Sequence, residues 1–358
     1  MAAGDFHTRD FDEGTLTKLQ IFELYAREWL PVFLSHPKPP RSEIHLFDFF
    51  AGPGMDSAGQ WGSPLRSLKQ LKEYQGLAGW LHVQICAHFF DASPAKVKRL
   101  STNLETHKLR LPSVTLDIRA MRFDAALQDC APILASGRAA KLVFIDQCGV
   151  DQVTPDVFRR LVGSPTCDFL FFISSSTLHR FRDHPAIKQK ITRPDDHYQV
   201  HRAVLDYYRG LLPEPTEYYL APFSMRKGSN IYGLIFGSAH PLGMDKFLQV
   251  AWKADEINGE ADYDINRENI RPGEMLLPLE EFRPSKLTAF ERDLEHLLRA
   301  SALKNELDVV RVCFDHGVKR QHAERVLAKL KKEGVIRLDF RVPQIDRLDS
   351  PRPILMPS

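Results

Sequence analysis

The stretch Asp48-Phe49-Phe50-Ala51-Gly52-Pro53-Gly54 decides the fold of this chain. It closes the apolar run Ile44–Phe50, which predicts a buried strand, and it turns through glycines toward a predicted helix. Glycine is needed where the backbone takes a positive φ or comes close to a ligand. A strand that feeds a glycine turn and then a helix is typical of nucleotide-binding crevices in α/β proteins. The alternative is a tight turn that closes a structural βα unit and binds nothing.

Outward from this turn, apolar runs alternate with amphipathic segments. The predicted strands are Ile44–Phe50, His82–Phe90, Ser113–Ile118, Lys141–Ile145 and Asp168–Ile173. The predicted helices between them cover 64–77, 94–107, 124–136 and 154–162. Strands that alternate with helices predict a parallel, doubly wound sheet whose strands all end at one edge. A helix over His197–Leu212, a hairpin of Glu217–Ser224 and Asn230–Gly237, and a helix over 241–256 follow.

The pattern divides the chain into four parts. Residues 1–40 form an N-terminal helical segment with an amphipathic helix at 15–35, and residues 41–256 form the sheet domain. Residues 257–284 are a polar linker, and residues 285–358 form a small C-terminal domain. Its predicted elements are the helices Phe290–Arg299, Leu307–Phe314 and His322–Glu333 and the strand Gly334–Phe340. A glycine that ends the third helix before a β-branched pair favours a winged-helix-like domain.

Composition excludes several classes of protein. The chain of 358 residues has 48 basic and 46 acidic residues, so it does not resemble a bulk polyanion binder. Its five cysteines include no C-x-x-C pair, which predicts neither a disulfide framework nor a metal site and favours a reduced, cytoplasmic setting. Four histidines within residues 179–201 could bind a metal, but a solvated helix surface is the favoured interpretation. We expect no signal peptide in Met1–Gly14 and no membrane span.

Polar residues at the predicted strand ends are the candidate cofactor contacts. Asp91 ends the second strand and can accept hydrogen bonds from both hydroxyls of a ribose. Alternatively, Asp91 caps the helix that begins near Pro94, although Ser93 is an equally good cap. The predicted cofactor-binding residues are Asp48, Ala51, Gly52, Pro53, Gly54, Gly59, Ser63, Asp91, Ser93 and Asp124.

The end of the fourth predicted strand holds the candidate catalytic residue, Asp146. This strand end resembles that of amino-group methyltransferases, in which a polar side chain here accepts the hydrogens of the target amine. Gln147 beside it, together with Arg226 and Lys227 in the turn of the hairpin, are the candidate substrate-binding residues. Cys148 allows a second interpretation, a cysteine nucleophile, against the commoner role of a small buried side chain.

Several stretches together resemble the three-Cys-motif partner family, called TcmP. They are Thr15-x-x-Lys18 with Tyr25 and Trp29, Phe47–Gly54 continuing to Gly59, Gly62-Ser63-Pro64-Leu65, Phe144-Ile145-Asp146 with Gly149, and Ile231–Phe236. The order of five parallel strands, a helix and a hairpin also resembles the sheet of class I methyltransferases. The resemblance implies a Rossmann-like seven-stranded sheet of this type and S-adenosylmethionine as the cofactor. It also implies a bacterial setting and a partner protein that is similar to radical-SAM enzymes and carries the three cysteine motifs.

The sequence departs from the family at two edges of the predicted sheet. Gln147 stands where the family usually has a proline. Arg119 or Arg122 stands where an acid facing the adenine is common, with Asp124 only nearby.

Three functions compete on this evidence. The first is a methyltransferase for nucleic acid or a nucleotide, in which Asp146 orients the acceptor. The second is a non-catalytic subunit that keeps the fold as a scaffold for its partner. The third is a DNA-binding accessory of a defence or mobile-element system, built around the basic residues Lys329, Lys331 and Lys332 of the tail.

Overall fold

The computed structural model describes residues 10–11, 13–146, 153–173, 204–214, 218–227, 230–254, 286–345 and 349–355. The strands are β1 Glu43–Asp48, β2 Gln84–Asp91, β3 Val114–Ala120, β4 Ala139–Ile145, β5 Cys167–Ile173, β6 Tyr219–Lys227 and β7 Asn230–Ser238. The helices are α1 Glu13–Leu34, α2 Ser63–Glu73, α3 Pro94–Thr106, α4 Phe123–Asp129, α5 Ala131–Ala135, α6 Pro155–Val162, α7 Pro241–Ala254, α8 Lys286–Arg299, α9 Glu306–Asp315 and α10 Ala323–Lys332. Residues 204–209 are also helical. Within these residues, no helix has the length and apolar character that a membrane crossing requires.

All seven strands form one mixed sheet in the order β3-β2-β1-β4-β5-β7-β6. Strands β1 to β5 are parallel, while β7 pairs antiparallel with both β5 and β6. This order confirms the predicted Rossmann-like seven-stranded sheet. The five parallel strands end at one edge, and β6 also ends there because two antiparallel pairings restore its direction.

Side chains alternate between two apolar layers along each strand. Leu46 packs in the layer beneath α1, α2, α3 and α7, whereas Phe47 packs in the layer beneath α4, α5 and α6. Phe22 of α1 stacks on Phe144 of β4 with ring centroids 4.4 Å apart. Helices cover both faces of the sheet, so β4 is buried at every position and apolar at every position except Lys141. Burial of its apolar side chains contributes much of the stability of such a sheet.

The helix α1 is packed into the core of the sheet domain. Tyr25 is fully buried, and its hydroxyl donates a hydrogen bond to Asp168 Oδ2 of β5 at 2.5 Å. The Tyr25 ring also meets Phe236 of β7, with centroids 4.8 Å apart. Residues of the segment 1–40 therefore help to form the main core.

One segment that was predicted as a single helix forms two helices. The segment 124–136 forms two helices, α4 and α5, which meet at Cys130. Pro132 lies in the first turn of α5, where its missing N–H costs nothing, but it cannot continue the hydrogen bonds of α4.

The described tail has the three predicted helices, α8, α9 and α10, but lacks the predicted strand. Gly334 ends α10 with a φ of +73°, yet Arg337 makes only a single bridge, to Leu355. Pro351 and Pro353 cannot donate to a ladder, so the pairing does not extend. The strand prediction for Gly334–Phe340 is therefore wrong, and the described residues lend no support to a winged helix. The predicted linker 257–284 lies outside the described residues.

The tail helices contact α7 and the edge of the sheet. Arg320 donates to both oxygens of Asp245 in α7, at 2.6 and 3.1 Å. The Trp252 indole donates to the Gly317 carbonyl at 3.1 Å. These contacts join the tail to the layer that also contains α1.

Candidate functional site

The glycine turn lies directly after β1, at the edge where the parallel strands end. Gly52 and Gly54 have φ values of +60° and +79°, which other residues rarely adopt. The N–H of Gly62 donates to the Gly54 carbonyl at 2.7 Å and folds the following loop back onto the turn. A Cβ at Gly54 would come within 2.6 Å of both Leu65 and Leu100, so the turn is packed closely against α2 and α3.

Asp48 stabilises this turn from beneath. Its side chain accepts hydrogen bonds from the Ser63 hydroxyl at 2.5 Å and from the Phe50 N–H at 2.9 Å. Asp48 is only 2% exposed. Burial raises the pKa of its carboxyl to about 7, an effect that the two hydrogen bonds oppose and the charges of Asp146 and Asp91 reinforce. Asp48 and Ser63, both predicted cofactor contacts, therefore position the turn, and Asp48 faces the protein interior.

Asp91 at the end of β2 faces the same turn. It accepts the Gly52 N–H at 3.2 Å and the Ser93 N–H at 2.8 Å, and it is partly exposed. A carboxylate has about four acceptor positions, so two remain for the hydroxyls of a ligand. The Ser93 hydroxyl accepts the Lys96 N–H at 3.4 Å and caps α3. Ser93 rather than Asp91 therefore caps α3, and the role of Asp91 in cofactor binding stays a prediction.

The other predicted loop residues lie further along the turn. The Ala51 N–H donates to the Phe90 carbonyl at 2.9 Å, and the Pro53 carbonyl accepts from the Asn103 amide at 2.8 Å. Gly59 has a φ of +82° in a separate tight turn, which the bridge between Met55 and Trp61 closes. Gly59 thus shapes the loop after the glycine turn.

Asp124 lies in the first turn of α4, beside the ends of β2 and β3. Its side chain is 74% exposed, and its closest charged contact is Arg122 at 3.5 Å. A hydrogen bond from the Ala125 N–H lowers the pKa of Asp124. Next to it, Phe123 stacks on Phe50 with centroids 5.4 Å apart, so the turn has an apolar wall on this side.

Asp146, directly after β4, forms an ion pair that the sequence analysis did not predict. Lys18 Nζ of α1 lies 2.5 Å from Asp146 Oδ2, and the lysine side chain is only 6% exposed while that of Asp146 is 23% exposed. The same ammonium lies 4.5 Å from the ring centroid of Phe172 in β5. The motif Thr15-x-x-Lys18 was the available signal, but nothing in it indicated that Lys18 reaches the end of β4.

The candidate substrate-binding residues are only partly described. Gln147 and the alternative nucleophile Cys148 lie outside the described residues, as do the four histidines of residues 179–201. Arg226 and Lys227 close β6, where their backbones pair with Ile231 and Asn230 of β7. The end of β6 lies at the same edge of the sheet as the glycine turn, which follows β1. It is not next to the turn, because three strands, β4, β5 and β7, lie between β1 and β6.

The basic residues of the tail make contacts within the tail. Lys329 Nζ binds both oxygens of Glu295 at 3.0 and 2.8 Å. Lys331 Nζ donates to the Leu338 carbonyl at 3.0 Å. These two lysines therefore stabilise the packing of α10, and they present less charge to a nucleic acid than the sequence suggested.

Metal binding was not expected from the sequence, yet one group in the described part of the chain offers suitable ligand atoms. It consists of His45, Cys86 and His88, all buried. They lie on β1 and β2, inside the sheet domain and apart from the glycine turn.

Comparisons with known proteins identify no family for this chain. No protein-family model matches it, and no curated protein sequence matches it. Among solved structures, Trm1 from Pyrococcus horikoshii, in complex with S-adenosyl-L-methionine, is 8% identical with a TM-score of 0.38, over 64% of this chain and 56% of that one. The O-methyltransferase TomG from Streptomyces achromogenes, in complex with SAM, is 12% identical with a TM-score of 0.33, over 64% and 90% of the two chains. A SAM-dependent methyltransferase from Agrobacterium tumefaciens is 9% identical with a TM-score of 0.34, over 63% and 62%. Likenesses this distant assign no ligand and no substrate to the chain.

Proposed function

We propose that this chain binds S-adenosylmethionine and transfers its methyl group to an amine of a nucleic acid or nucleotide. The main support for the proposal is that the glycine turn, Asp91 and Asp146 all lie at the same edge of the sheet. Asp91 retains two acceptor positions for ribose hydroxyls, and the positive-φ glycines let the backbone approach the ligand. The bound cofactor supplies an electrophilic methyl group on a sulfonium that leaves readily.

Little acid–base chemistry is then required of the protein. Asp146 accepts an N–H of the acceptor and directs the nitrogen lone pair toward the methyl group. Lys18 holds the Asp146 carboxylate in place at 2.5 Å, so Lys18 acts as a positioning residue. Fixing the acceptor in line provides most of the rate enhancement in such a transfer, and a small displacement of Asp146 is enough to lose about a hundredfold.

Cofactor binding is tested by calorimetry on the full chain with S-adenosylmethionine. Asp91→Ala removes hydrogen bonds to a charged acceptor, so we expect its affinity to fall about tenfold to a hundredfold. Asp156→Ala is the matched control, because Asp156 lies in the first turn of α6 with a side chain that is 94% exposed. Absence of binding by the wild-type chain, or equal affinity in both variants, contradicts the proposal.

Methyl transfer is tested separately with cofactor labelled in its methyl group and with DNA, RNA and nucleotides as acceptors. We expect label on one of these acceptors, and we expect Asp146→Ala to lose about a hundredfold in rate with cofactor affinity unchanged. Lys18→Met tests the ion pair, since it keeps the length of the side chain but removes its charge.

The Lys18–Asp146 ion pair favours a second candidate function, a subunit that binds the cofactor without transferring its methyl group. In that case the buried Lys18 pairs with the Asp146 carboxylate, which is then unavailable to bind a methyl acceptor. Such a subunit binds S-adenosylmethionine but labels no acceptor by itself. The resemblance to the TcmP family adds that its partner is a radical-SAM-like protein with three cysteine motifs. Co-expression of the two then gives a stable complex, whose absence counts against this function.

A further inference from the structure

A buried polar cluster lies on the face of the sheet that α4, α5 and α6 cover. His45 of β1 is the register partner of Cys86 in β2, and His88 follows on the same face of β2. The three residues are 5%, 5% and 6% exposed. Their side-chain ligand atoms all lie within 4.8 Å of one another. A cluster this well buried is shielded from water, so its polar atoms must find their partners within the protein or a bound ion.

The two histidines leave one buried ring nitrogen, His45 Nε2, without a hydrogen-bond partner. His45 Nδ1 lies 2.9 Å from His88 Nε2, and His88 Nδ1 lies 3.2 Å from Asp117 Oδ2. His45 Nε2 lies 3.5 Å from Glu43 Oε2, too far for a good hydrogen bond, and has no other partner. Two neutral imidazoles carry one proton each, and the contact between the rings and the contact with Asp117 use both, so His45 Nε2 stays buried without a hydrogen or a partner.

We propose that His45 Nδ1, Cys86 Sγ and His88 Nε2 bind a zinc-class divalent cation, which lets His45 Nε2 carry a proton toward Glu43. With the cation between the facing nitrogens, the ring protons occupy His45 Nε2 and His88 Nδ1. Those positions face Glu43 and Asp117, and a carboxylate behind each ligating histidine is the usual outer partner in zinc sites. Binding releases the Cys86 thiol proton to solvent, and no oxidant or reductant is needed.

The separation of the two histidine nitrogens needs only a small adjustment, whereas Cys86 Sγ, which lies within 4.8 Å of them, must come to about 3.6 Å from each nitrogen. Zinc holds histidine nitrogens at about 2.0–2.1 Å and a cysteine sulfur at about 2.3 Å, so two tetrahedral nitrogens are about 3.3 Å apart. The facing nitrogens of His45 and His88 are 2.9 Å apart, and the rings therefore separate by a few tenths of an ångström. Two nitrogens with one thiolate favour Zn²⁺ over Mg²⁺ or Ca²⁺, which prefer oxygen ligands.

The bound ion would join β1 to β2 beneath the proposed cofactor site. The ring of Phe47 stacks on His88 at 4.5 Å and on Phe49 at 5.8 Å, which continues the packing toward the glycine turn. A metal at this depth is structural, because its ligands are buried and apart from Asp91 and Asp146. This site is independent of the proposed methyl transfer.

The test is metal content and cobalt spectroscopy on the full chain, produced in zinc- or cobalt-supplemented medium. We expect about one zinc per chain and, in the cobalt form, the near-ultraviolet band that a thiolate–cobalt bond gives. Cys86→Ala and His88→Gln each reduce the metal content at least about tenfold, whereas Cys130→Ala, another buried thiol of the same apolar layer, leaves it unchanged. A chelator lowers the melting temperature of the wild type but not that of Cys86→Ala.

Three results would overturn the proposal. The first is a folded wild-type chain that holds less than about a tenth of an equivalent of metal even after refolding with zinc. The second is a cobalt form without a thiolate band. The third is a metal content that the Cys86→Ala substitution does not change. If Cys86→Ala fails to fold, the cobalt spectrum of the wild type and the metal content of His45→Asn decide the question. A cluster without metal is then a hydrogen-bonded histidine pair.

Discussion

At the scale of single residues, Asp48 is a carboxyl group that the fold makes difficult to ionise. Burial is the main cause, and its pKa rises from 3.8 to about 7. Unfolded chains lose this proton near the ordinary value, so between these two pKa values the unfolded state binds fewer protons than the folded state. The free energy of unfolding therefore falls as the pH rises through this window.

Asp48→Asn removes this titration. We expect urea unfolding to show a shallower fall in stability with pH, most clearly between about pH 6 and pH 7. Asp168 has a pKa raised to about 6 by burial and contributes the same sign, but mainly below that range. Asp124→Asn is the control, since Asp124 is exposed, and its pH profile should match the wild type. An unchanged profile in Asp48→Asn would show that Asp48 titrates normally.

Gly54 tests how tightly the glycine turn is packed. Gly54→Ala places a Cβ within 2.6 Å of Leu65 and Leu100 at a φ of +79°, so we expect a loss of about 1–3 kcal/mol in unfolding free energy. Gly76→Ala is the control, because a Cβ there meets nothing within 4 Å. Chemical denaturation of both variants measures the difference, and equal stabilities would mean that the turn is open.

At the scale of elements, α1 is the helix that links the sheet to the candidate catalytic edge. It contributes Lys18 to Asp146 and Tyr25 to Asp168, so two partly buried carboxylates, one directly after β4 and one on β5, take their partners from one helix. The packing of α1 therefore affects both the stability of the sheet and the position of Asp146.

Tyr25→Phe removes the donor that α1 gives to Asp168 and leaves the ring in place. Because a buried acceptor loses a partner, we expect a loss of about 1–3 kcal/mol in the free energy of unfolding. Tyr74→Phe is the matched control, since its hydroxyl bonds the Arg27 carbonyl at 2.9 Å in an exposed setting, and we expect less than about 1 kcal/mol. Similar losses in both variants would show that the contact with Asp168 is unimportant.

At the scale of the whole molecule, the tail packs against α7 through charged and aromatic contacts. Arg320 and Asp245 have side chains that are 15% and 10% exposed, so their ion pair is largely buried. Arg320 also donates to the Pro343 carbonyl, which holds the chain after α10. Nearby, the ring of His322 meets Trp252 with centroids 4.3 Å apart.

Arg320→Ala leaves the Asp245 charge buried without its partner. We expect a loss of about 3–5 kcal/mol in the free energy of unfolding, measured by chemical denaturation. Arg325→Ala is the control, because Arg325 is 82% exposed in its pair with Glu291 and should cost less than about 1 kcal/mol. If Arg320→Ala costs no more than the control, the tail is held to α7 by its apolar contacts alone.

The strands, most helices and the glycine turn could be predicted from the amino-acid pattern. These features depend on local signals, namely apolar periodicity along each strand and glycines at positions with positive φ. Asp91 and Asp146 could also be predicted as site residues, because the ends of parallel strands always meet at one edge. The wing strand was predicted wrongly because Ile336 and its neighbours have strand propensity, while pairing depends on a distant segment that contains Pro351 and Pro353.

The side-chain contacts between different elements could not be predicted in this way, because they depend on the packing of the folded chain. Lys18 reaches Asp146 because α1 crosses the sheet, and no spacing in the sequence encodes that approach. His45 meets Cys86 and His88 because β1 and β2 pair in a particular register, whereas a metal site read from the sequence needs ligands at short, regular spacing. Local chemistry fixes the backbone of an element, but the contacts of a site depend on how elements pack, which is a property of the whole chain.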